Sequence, residues 1–290
     1  MTAPRPEPSS RSDRAFSVLM PVWAGDRPDR FRAALSSATL EQELPPDQLV
    51  MTVDGPVPAE LEQVIDEVEA ERYGPAQVLR SERHRGLAAN LQDGLLAAPT
   101  DIIARADADD LCRPERFRLQ IDAFVEQGLD LLGGAMQEFS DQVPPGTGPL
   151  RSRPLRHEEI LVYLRRHSPF HHPTMVLRRE TALAAGGYRD LRLLEDYWLW
   201  ERMVLAGART ANLPDVVVDY RVDTDLFARR GGWSLLRSDI VLQRTFLRDH
   251  VITPRRFVLN LAERAGYRLA PGWLRQWGYR RLVERRTRAS

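Results

Sequence analysis

Along the first half of the chain, short apolar runs alternate with stretches of helical spacing. Residues 16–22, Phe16-Ser17-Val18-Leu19-Met20-Pro21-Val22, form a β-favouring run whose carboxyl end falls at the proline. Residues 30–41 follow with Phe31, Ala34, Leu35 and Ala38 on one helical face, and Pro45-Pro46 stops them. Residues 49–56 repeat the pattern, an apolar strand that ends in Asp54 and the turn Gly55-Pro56. A helix over 58–72 rests on Leu61, Val64, Ile65 and Val68, a third strand covers 76–80, and a helix over 88–98 carries Asn90. The fourth run, Ile102-Ile103-Ala104-Arg105-Ala106, stops abruptly at Asp107, Asp109 and Asp110. This alternation with short links predicts an α/β fold, a doubly wound and mostly parallel sheet flanked by helices.

The second half is less regular. After Arg113-Pro114 a helix with Phe117, Ile121, Phe124 and Val125 leads into a strand over 129–136, where Gly133-Gly134 reads either as a close backbone approach or as a bulge. Residues 141–149 form a Pro- and Gly-rich loop, 158–166 a short helix, and His171-His172-Pro173 stands at the entrance of another strand. Gly186-Gly187-Tyr188 is a turn, and 193–207 a helix closed by Gly207. The expected organisation is a disordered leader at 1–14, one α/β domain at 15–235, and a basic helical extension at 236–290.

Composition narrows the function classes. All 41 basic residues are arginine and 41 acids balance them, so net charge is zero and bulk nucleic-acid binding is disfavoured. The single cysteine, Cys112, cannot form an internal disulfide and reads as a packing residue, which makes a reducing cytoplasmic setting the default. No apolar stretch approaches the ~20 residues of a membrane span. The chain is therefore expected to be soluble or peripheral.

Chemistry is expected where the strand ends converge. Open α/β sheets bind ligands at the carboxyl edge, where Asp54, Asp107, Asp109, Asp110 and the loop Arg83-His84-Arg85-Gly86-Leu87 would meet. Carboxylates crowded as in Asp107-Ala108-Asp109-Asp110 repel one another unless a cation joins them, and hard oxygen ligands suit Mg²⁺ or Mn²⁺ on a substrate's phosphates. The competing reading is a capped turn, because Arg113-Pro114-Glu115 resembles a helix start. The G-x-G-x-x-G and P-loop patterns are both missing, so a nucleotide would not be held by a glycine-rich phosphate cradle. His172 reads as a metal or phosphate contact or as a packed residue, with no zinc-ligand spacing around it. Glu195 and Asp196 open a helix, where the dipole favours acids as caps and would also hold a base ionised.

Taken together, these segments resemble the family 2 glycosyltransferases of the GT-A fold, in particular the bacterial exopolysaccharide and amylovoran-biosynthesis type. The resemblance runs in order from the first strand through Val53-Asp54-Gly55-Pro56, Arg85-Gly86-Leu87, Ala106-Asp107-Ala108-Asp109-Asp110, His172-Pro173-Thr174, Gly186-Gly187-Tyr188 and Leu194-Glu195-Asp196-Tyr197. It implies transfer of a sugar from a nucleotide-diphosphate donor (UDP-, dTDP- or GDP-linked) to an acceptor hydroxyl, usually with inversion and with Mn²⁺ or Mg²⁺. It also implies roles. Pro21, Val22, Asp54, Arg85, Gly86, Asp107 and Ala108 would line the nucleotide-sugar pocket, Asp109 and His172 would contact the metal, and Asp196 would take the acceptor proton beside Glu195. Asp219-Tyr220-Arg221-Val222, with Arg229-Arg230-Gly231-Gly232-Trp233 after it, resembles the loop that covers the donor diphosphate, which assigns Arg229 and Arg230 to the phosphates. Two departures are His84, where the family often has Asn, and Trp198, where Asp is common.

From residue 255 onward arginines thicken, with Trp273, Trp277 and Tyr279 interleaved. Such a tail suits an anionic lipid surface on the inner face of the cytoplasmic membrane, and a glycan or lipid-linked acceptor would make that useful. A solvated helix face is the bland alternative. Two rival functions remain at this point, a nucleotidyltransferase, which should carry a basic glycine-rich loop where Trp23-Ala24-Gly25-Asp26-Arg27 stands, and a catalytically silent sugar-nucleotide binding module. Oligomeric state is not legible.

Overall fold

The computed structural model of the chain describes residues 11–222 and 232–270. Its first half runs β1 (Phe16–Trp23), α1 (Pro28–Ala38), β2 (Gln48–Asp54), α2 (Ala59–Glu69), β3 (Ala76–Arg80), α3 (Leu87–Ala97) and β4 (Ile102–Arg105). The second half runs β5 (Leu111–Cys112), α4 (Arg116–Glu126), β6 (Leu131–Phe139), β7 (Leu150–Arg151), α5 (His157–Leu164), β8 (Val176–Arg178), α6 (Arg179–Ala184), α7 (Glu195–Leu205), β9 (Thr210–Arg221), α8 (Trp233–Arg248) and α9 (Pro254–Leu269). The strands make one sheet in the order β3-β2-β1-β4-β8-β6-β9-β5, with β7 paired to β6. From β3 to β4 all neighbours are parallel, and β8 then enters antiparallel to both β4 and β6.

Alternation along β1 explains the two layers. Phe16, Val18, Met20 and Val22 face the core formed with α1, α2 and α4, while Leu19 faces a second core with α3, α7 and α8. On that second face the fit is close. A Cβ on Gly94 of α3 would lie 2.2 Å from Leu19 Cδ1.

Pro21 sits in a central strand without breaking it. Ala106 N donates to Leu19 O at 3.0 Å, so Leu19 faces β4; Pro21, two residues on, faces the same side where β4 has already ended. Its missing N–H leaves no ladder bond unmade. The gap that opens between β1 and β4 is the switch point of the strand order, the place where such sheets hold ligands.

The expected elements of the first half are present within a few residues, and the differences lie in the second half. Asp219, Tyr220 and Arg221, expected in a covering loop, belong to the 12-residue strand β9, which pairs with β6 and β5. Exposed Pro214 and Asp215 interrupt its apolar alternation and hide it from a periodicity reading. Of the two readings of Gly133-Gly134 the bulge holds, because the β6–β9 register shifts there; what crowds Gly133 is a side chain, with Asn212 Oδ1 2.1 Å from where its Cβ would lie. Residues Arg229 and Arg230, most of the leader, and the tail aromatics Trp273, Trp277 and Tyr279 lie outside the described residues. Helix α8 begins at Trp233 and so spans the expected boundary at 235.

Helix α7 carries a buried acid, Glu201, with no hydrogen-bond partner for either oxygen among the described residues. Burial, and then the charge of Asp249, pushes its carboxyl up to about 7. The folded chain therefore keeps a proton that the unfolded chain releases, and stability falls as pH rises from 4.5 to about 7. Thermal unfolding of Glu201→Gln should show a melting temperature above the parent's by on the order of 5 °C at pH 8, shrinking toward zero near pH 4.5. A difference independent of pH would show that Glu201 is solvated.

Candidate active site

At the end of β4 the chain alternates between core and cleft. Ala106, Ala108 and Asp110 are buried, whereas Asp107 and Asp109 are only partly so. The buried guanidinium of Arg105 sits beneath them and ion-pairs with both carboxylate oxygens of Asp107. Burial disfavours the Arg105 charge, but Asp107 outweighs it and keeps the group protonated. Arg116 anchors the same segment by donating to the Arg105 carbonyl at 2.7 Å.

Asp110 turns back into the protein. Its Oδ1 accepts from Arg221 N at 2.7 Å, and Arg221 Nε donates to Asp109 O at 3.1 Å, so the acidic segment is stitched to the end of β9. Asp110 Oδ2 is buried without a partner among the described residues. Burial, and then the charges of Asp109 and Asp107, raises this carboxyl well above its usual range.

A fourth acid, Asp26, escaped the sequence reading. It closes the turn after β1, accepting from Trp23 N at 2.9 Å. Burial lifts its carboxyl to about 7, with the charges of Asp109 and Asp107 adding to the effect. The available signal was positional, since Asp26 follows the first strand end as Asp54 follows the second.

Asp54 is almost fully buried and organises the loop after β3. Its oxygens accept from Arg85 N at 2.6 Å and Gly86 N at 2.9 Å, and His84 Nδ1 lies 2.8 Å away. Gly86 has φ +89° and opens α3, and Gly55 has φ +82° with His84 N 2.6 Å from where its Cβ would be. Arg85 reaches along α3 to Asp93 at 2.7 Å. Trp23 packs on His84 with ring centroids 5.7 Å apart. Beside this loop is a cavity of about 310 Å³ lined by Thr52, Leu79, Ser81, Arg83, Arg85 and Asn90.

The second half of the site is the start of α7. Glu195 is buried, and burial followed by the charge of Asp196 lifts its carboxyl to about 7. Asp196 is partly exposed, and its Oδ1 accepts from Tyr197 N at 2.6 Å. Arg202, two turns further along α7, donates to the carbonyls of Ala185 and Gly187 and so fixes the turn that presents Tyr188. Tyr188 and His172 meet at 3.1 Å through the phenol oxygen and Nε2, and Trp200 packs edge-on against both rings. Burial, and then Arg105, holds the His172 imidazole well below its usual pKa, hence neutral.

Arg105 lies within electrostatic reach of Asp107, Asp110, His172, Tyr188 and Glu195. Arg105 thus links the acids that follow β4 to Glu195 at the start of α7, while Asp54 ends β2 on the far side of β1. Among the described residues no group of three or more His, Cys, Asp and Glu side chains is arranged to hold a metal, and His172 spends its Nε2 on Tyr188. Asp107 gives both its oxygens to Arg105, so within the acidic run Asp109 is the carboxylate that would meet a cation, with the orphaned Asp110 oxygen next to it in sequence. This sparse set fits a hard cation that takes few protein ligands and fills its sphere with phosphate and water.

The family model described as glycosyl transferase family 2 matches residues 17–187. The chain belongs to this family. It is 33% identical over 271 residues to the UDP-Gal:alpha-D-GlcNAc-diphosphoundecaprenol beta-1,3-galactosyltransferase of Escherichia coli, covering 93% of this chain and 97% of that one. It is likewise 33% identical over 234 residues to the amylovoran biosynthesis glycosyltransferase AmsE of Erwinia amylovora, covering 79% and 84%. Among solved structures, it resembles S. aureus TarS 1-349 in complex with UDP, with TM-score 0.62, 17% identity, and coverage of 87% and 71%. It also resembles the mannosyltransferase PcManGT from Pyrobaculum calidifontis in complex with GDP-Man and Mn²⁺, with TM-score 0.57, 19% identity, and coverage of 90% and 72%. The fold is GT-A, and this family 2 enzyme is a glycosyltransferase.

Replacing Asp54 strands two backbone N–H groups at the start of α3 and removes the charge facing His84. Asp54→Ala should lower unfolding free energy by about 3 kcal/mol in urea titration. Unchanged stability would mean that the loop does not depend on this carboxylate.

Proposed function

We propose that the enzyme transfers a sugar, with inversion, from a nucleoside diphosphate sugar to a hydroxyl of a lipid-linked glycan during bacterial surface polysaccharide synthesis. What supports this reading is that Arg105 ion-pairs with Asp107, next to Asp109 in the acidic run after β4, and is also within electrostatic reach of Glu195, beside Asp196 at the start of α7. The lipid-linked acceptor and the UDP-type donor are supported by the activity of the Escherichia coli relative and by the UDP and UDP-GlcNAc of the TarS complexes.

In this reading Asp54, Arg85, Gly86, Pro21 and Val22 form the wall for the nucleoside. Asp107 and Ala108 continue it toward the sugar. Asp109 holds Mn²⁺ or Mg²⁺, which when bound offsets charge on the diphosphate. His172, neutral and hydrogen-bonded to Tyr188, forms the wall beside the metal. Arg229 and Arg230 serve the diphosphate from outside the described residues. Asp196 accepts the proton of the acceptor hydroxyl as its oxygen bonds to the anomeric carbon and the bond to the diphosphate oxygen breaks. A single base opposite the leaving group gives inversion. Glu195, buried and with its carboxyl raised to about 7, stands next to Asp196 and is the acid beside the base. The enzyme would work at the inner face of the cytoplasmic membrane, where such donors and acceptors meet.

A nucleotidyltransferase is disfavoured because Trp23-Ala24-Gly25-Asp26 is a tight turn closed by an acid, not a basic phosphate loop.

Isothermal titration and a transfer assay with a panel of nucleotide sugars test the assignments. Asp109→Ala should abolish the Mn²⁺-dependent part of donor binding. Asp196→Asn should bind donor like the parent and lose roughly 10²–10⁴-fold in kcat. Undiminished transfer by Asp196→Asn would remove it as the base.

A further inference from the structure

Helix α9 carries buried polar pairs on its inward face, beside Phe257, which packs on the second core. Arg264 and Arg268 both pair with Asp239 of α8, at 2.6 and 2.8 Å, and Asp239 is fully buried. Asn260 donates to Gln243 Oε1 at 2.7 Å and to Arg165 O at 2.9 Å. Its outward face is aliphatic. Val258, Leu259, Ala262, Gly266 and Leu269 are exposed, Val258 by 63%. At 100° per residue these five fall within about a third of the helix circumference and form one stripe, with exposed Arg255 on the same arc at its N-terminal end. An outward apolar stripe on an amphipathic helix requires an occupant, since soluble helices normally bury that face.

Charge and aromatic placement identify it. From residue 254 to the end there are ten arginines against two glutamates, so this segment carries +8 and the preceding 253 residues carry −8. Arg255 and Arg256 are exposed in the first turn of α9, and Glu263 is paired with Arg166 at 2.9 Å. At the other end Gly232 N donates to Arg268 O, which brings Trp233, 74% exposed, beside the last turn of the helix. A second copy docked symmetrically here would press one basic segment against another. The chain's own residues 271–290, with six arginines and one glutamate, would meet the same repulsion.

We propose that the outer face of α9 docks on an anionic lipid bilayer, with its aliphatic stripe in the headgroup boundary and with Arg255, Arg256 and Trp233 at the rim. This rests on the reading of a lipid-linked acceptor and names the surface that brings the enzyme to it. Such helices lie in the interface plane, and an aromatic at headgroup depth with flanking arginines is the expected frame.

The full chain should co-sediment with vesicles of phosphatidylglycerol and phosphatidylcholine, without donor or acceptor, and weakly with phosphatidylcholine alone. The double variant Val258→Glu with Leu259→Glu, both at exposed positions, should bind the anionic vesicles about tenfold less tightly while its melting temperature stays that of the parent. Arg255→Glu with Arg256→Glu should lose roughly 30-fold or more, since loss of each arginine's charge alone removes about 1 kcal/mol of attraction and the substitution reverses that charge. Both variants should keep transfer to a water-soluble acceptor, so failure of docking and failure of the transferase reading are distinguishable. Unchanged vesicle binding by the Val258→Glu, Leu259→Glu protein overturns the proposal. So does a parent dimer in light scattering that this variant converts to monomer, which would give the stripe to a second copy.

Discussion

A buried guanidinium must be neutralised where it lies, and the site is arranged around the one at Arg105. Removing a partner from a buried pair costs far more than the pair itself contributes, so Asp107 is bound to Arg105 by the energetics of the core. That pairing sets the phase of the segment. With Asp107 turned to Arg105, Ala108 packs inward, Asp109 faces the cleft and Asp110 returns inward to Arg221 N. Small spacers are required because Ala106 and Ala108 are enclosed. One ion pair thus converts a four-residue acidic run into three separate duties, pairing, presentation and anchoring.

The same cation sets the conditions on the opposite side of the cleft. Burial, reinforced by this cation, keeps His172 neutral, so the contact with Tyr188 is a hydrogen bond between uncharged groups. It also opposes the rise of Glu195, which burial and Asp196 push upward. This one positive charge is within reach of three acids, Asp107, Asp110 and Glu195. Asp26 and Glu195 are both lifted to about 7, by burial first and then by the charge of neighbouring acids.

The parallel half of the sheet was readable because each strand there is an apolar run ended by an acid or a turn, and a period of two needs no tertiary information. β9 was not, since Pro214 and Asp215 fall inside it and its pairing with β6 shifts register at Gly133-Gly134. Asp109, Asp54 and Asp196 were legible as acids at element ends, but what holds each of them was not. Asp54 spends its oxygens on Arg85 N and Gly86 N, a contact across 31 and 32 positions that no local pattern encodes. Arg105 was read as part of a strand, because only the fold reveals that its side chain lies under the acids. Asp26 was passed over as a turn residue. It is one, and its chemistry comes from neighbours more than eighty positions away.

The helical hairpin connects surface to site through a short packed route. α9 is held to α8 by the Asp239 pairs, α8 presses Phe246 edge-on against Tyr197 at 5.2 Å, and Tyr197 follows directly on Glu195 and Asp196. Tyr197 is itself fixed by its hydroxyl on Leu164 O. Polar pairs inside the hairpin are directional where an aliphatic seam would tolerate sliding, so the angle between α9 and α7 is specified. Because the body carries −8, an anionic surface that attracts α9 repels the remainder, and the chain is turned as well as held. Electrostatic orientation of this kind weakens with salt, whereas the aliphatic stripe does not, so the two contributions separate in a salt titration.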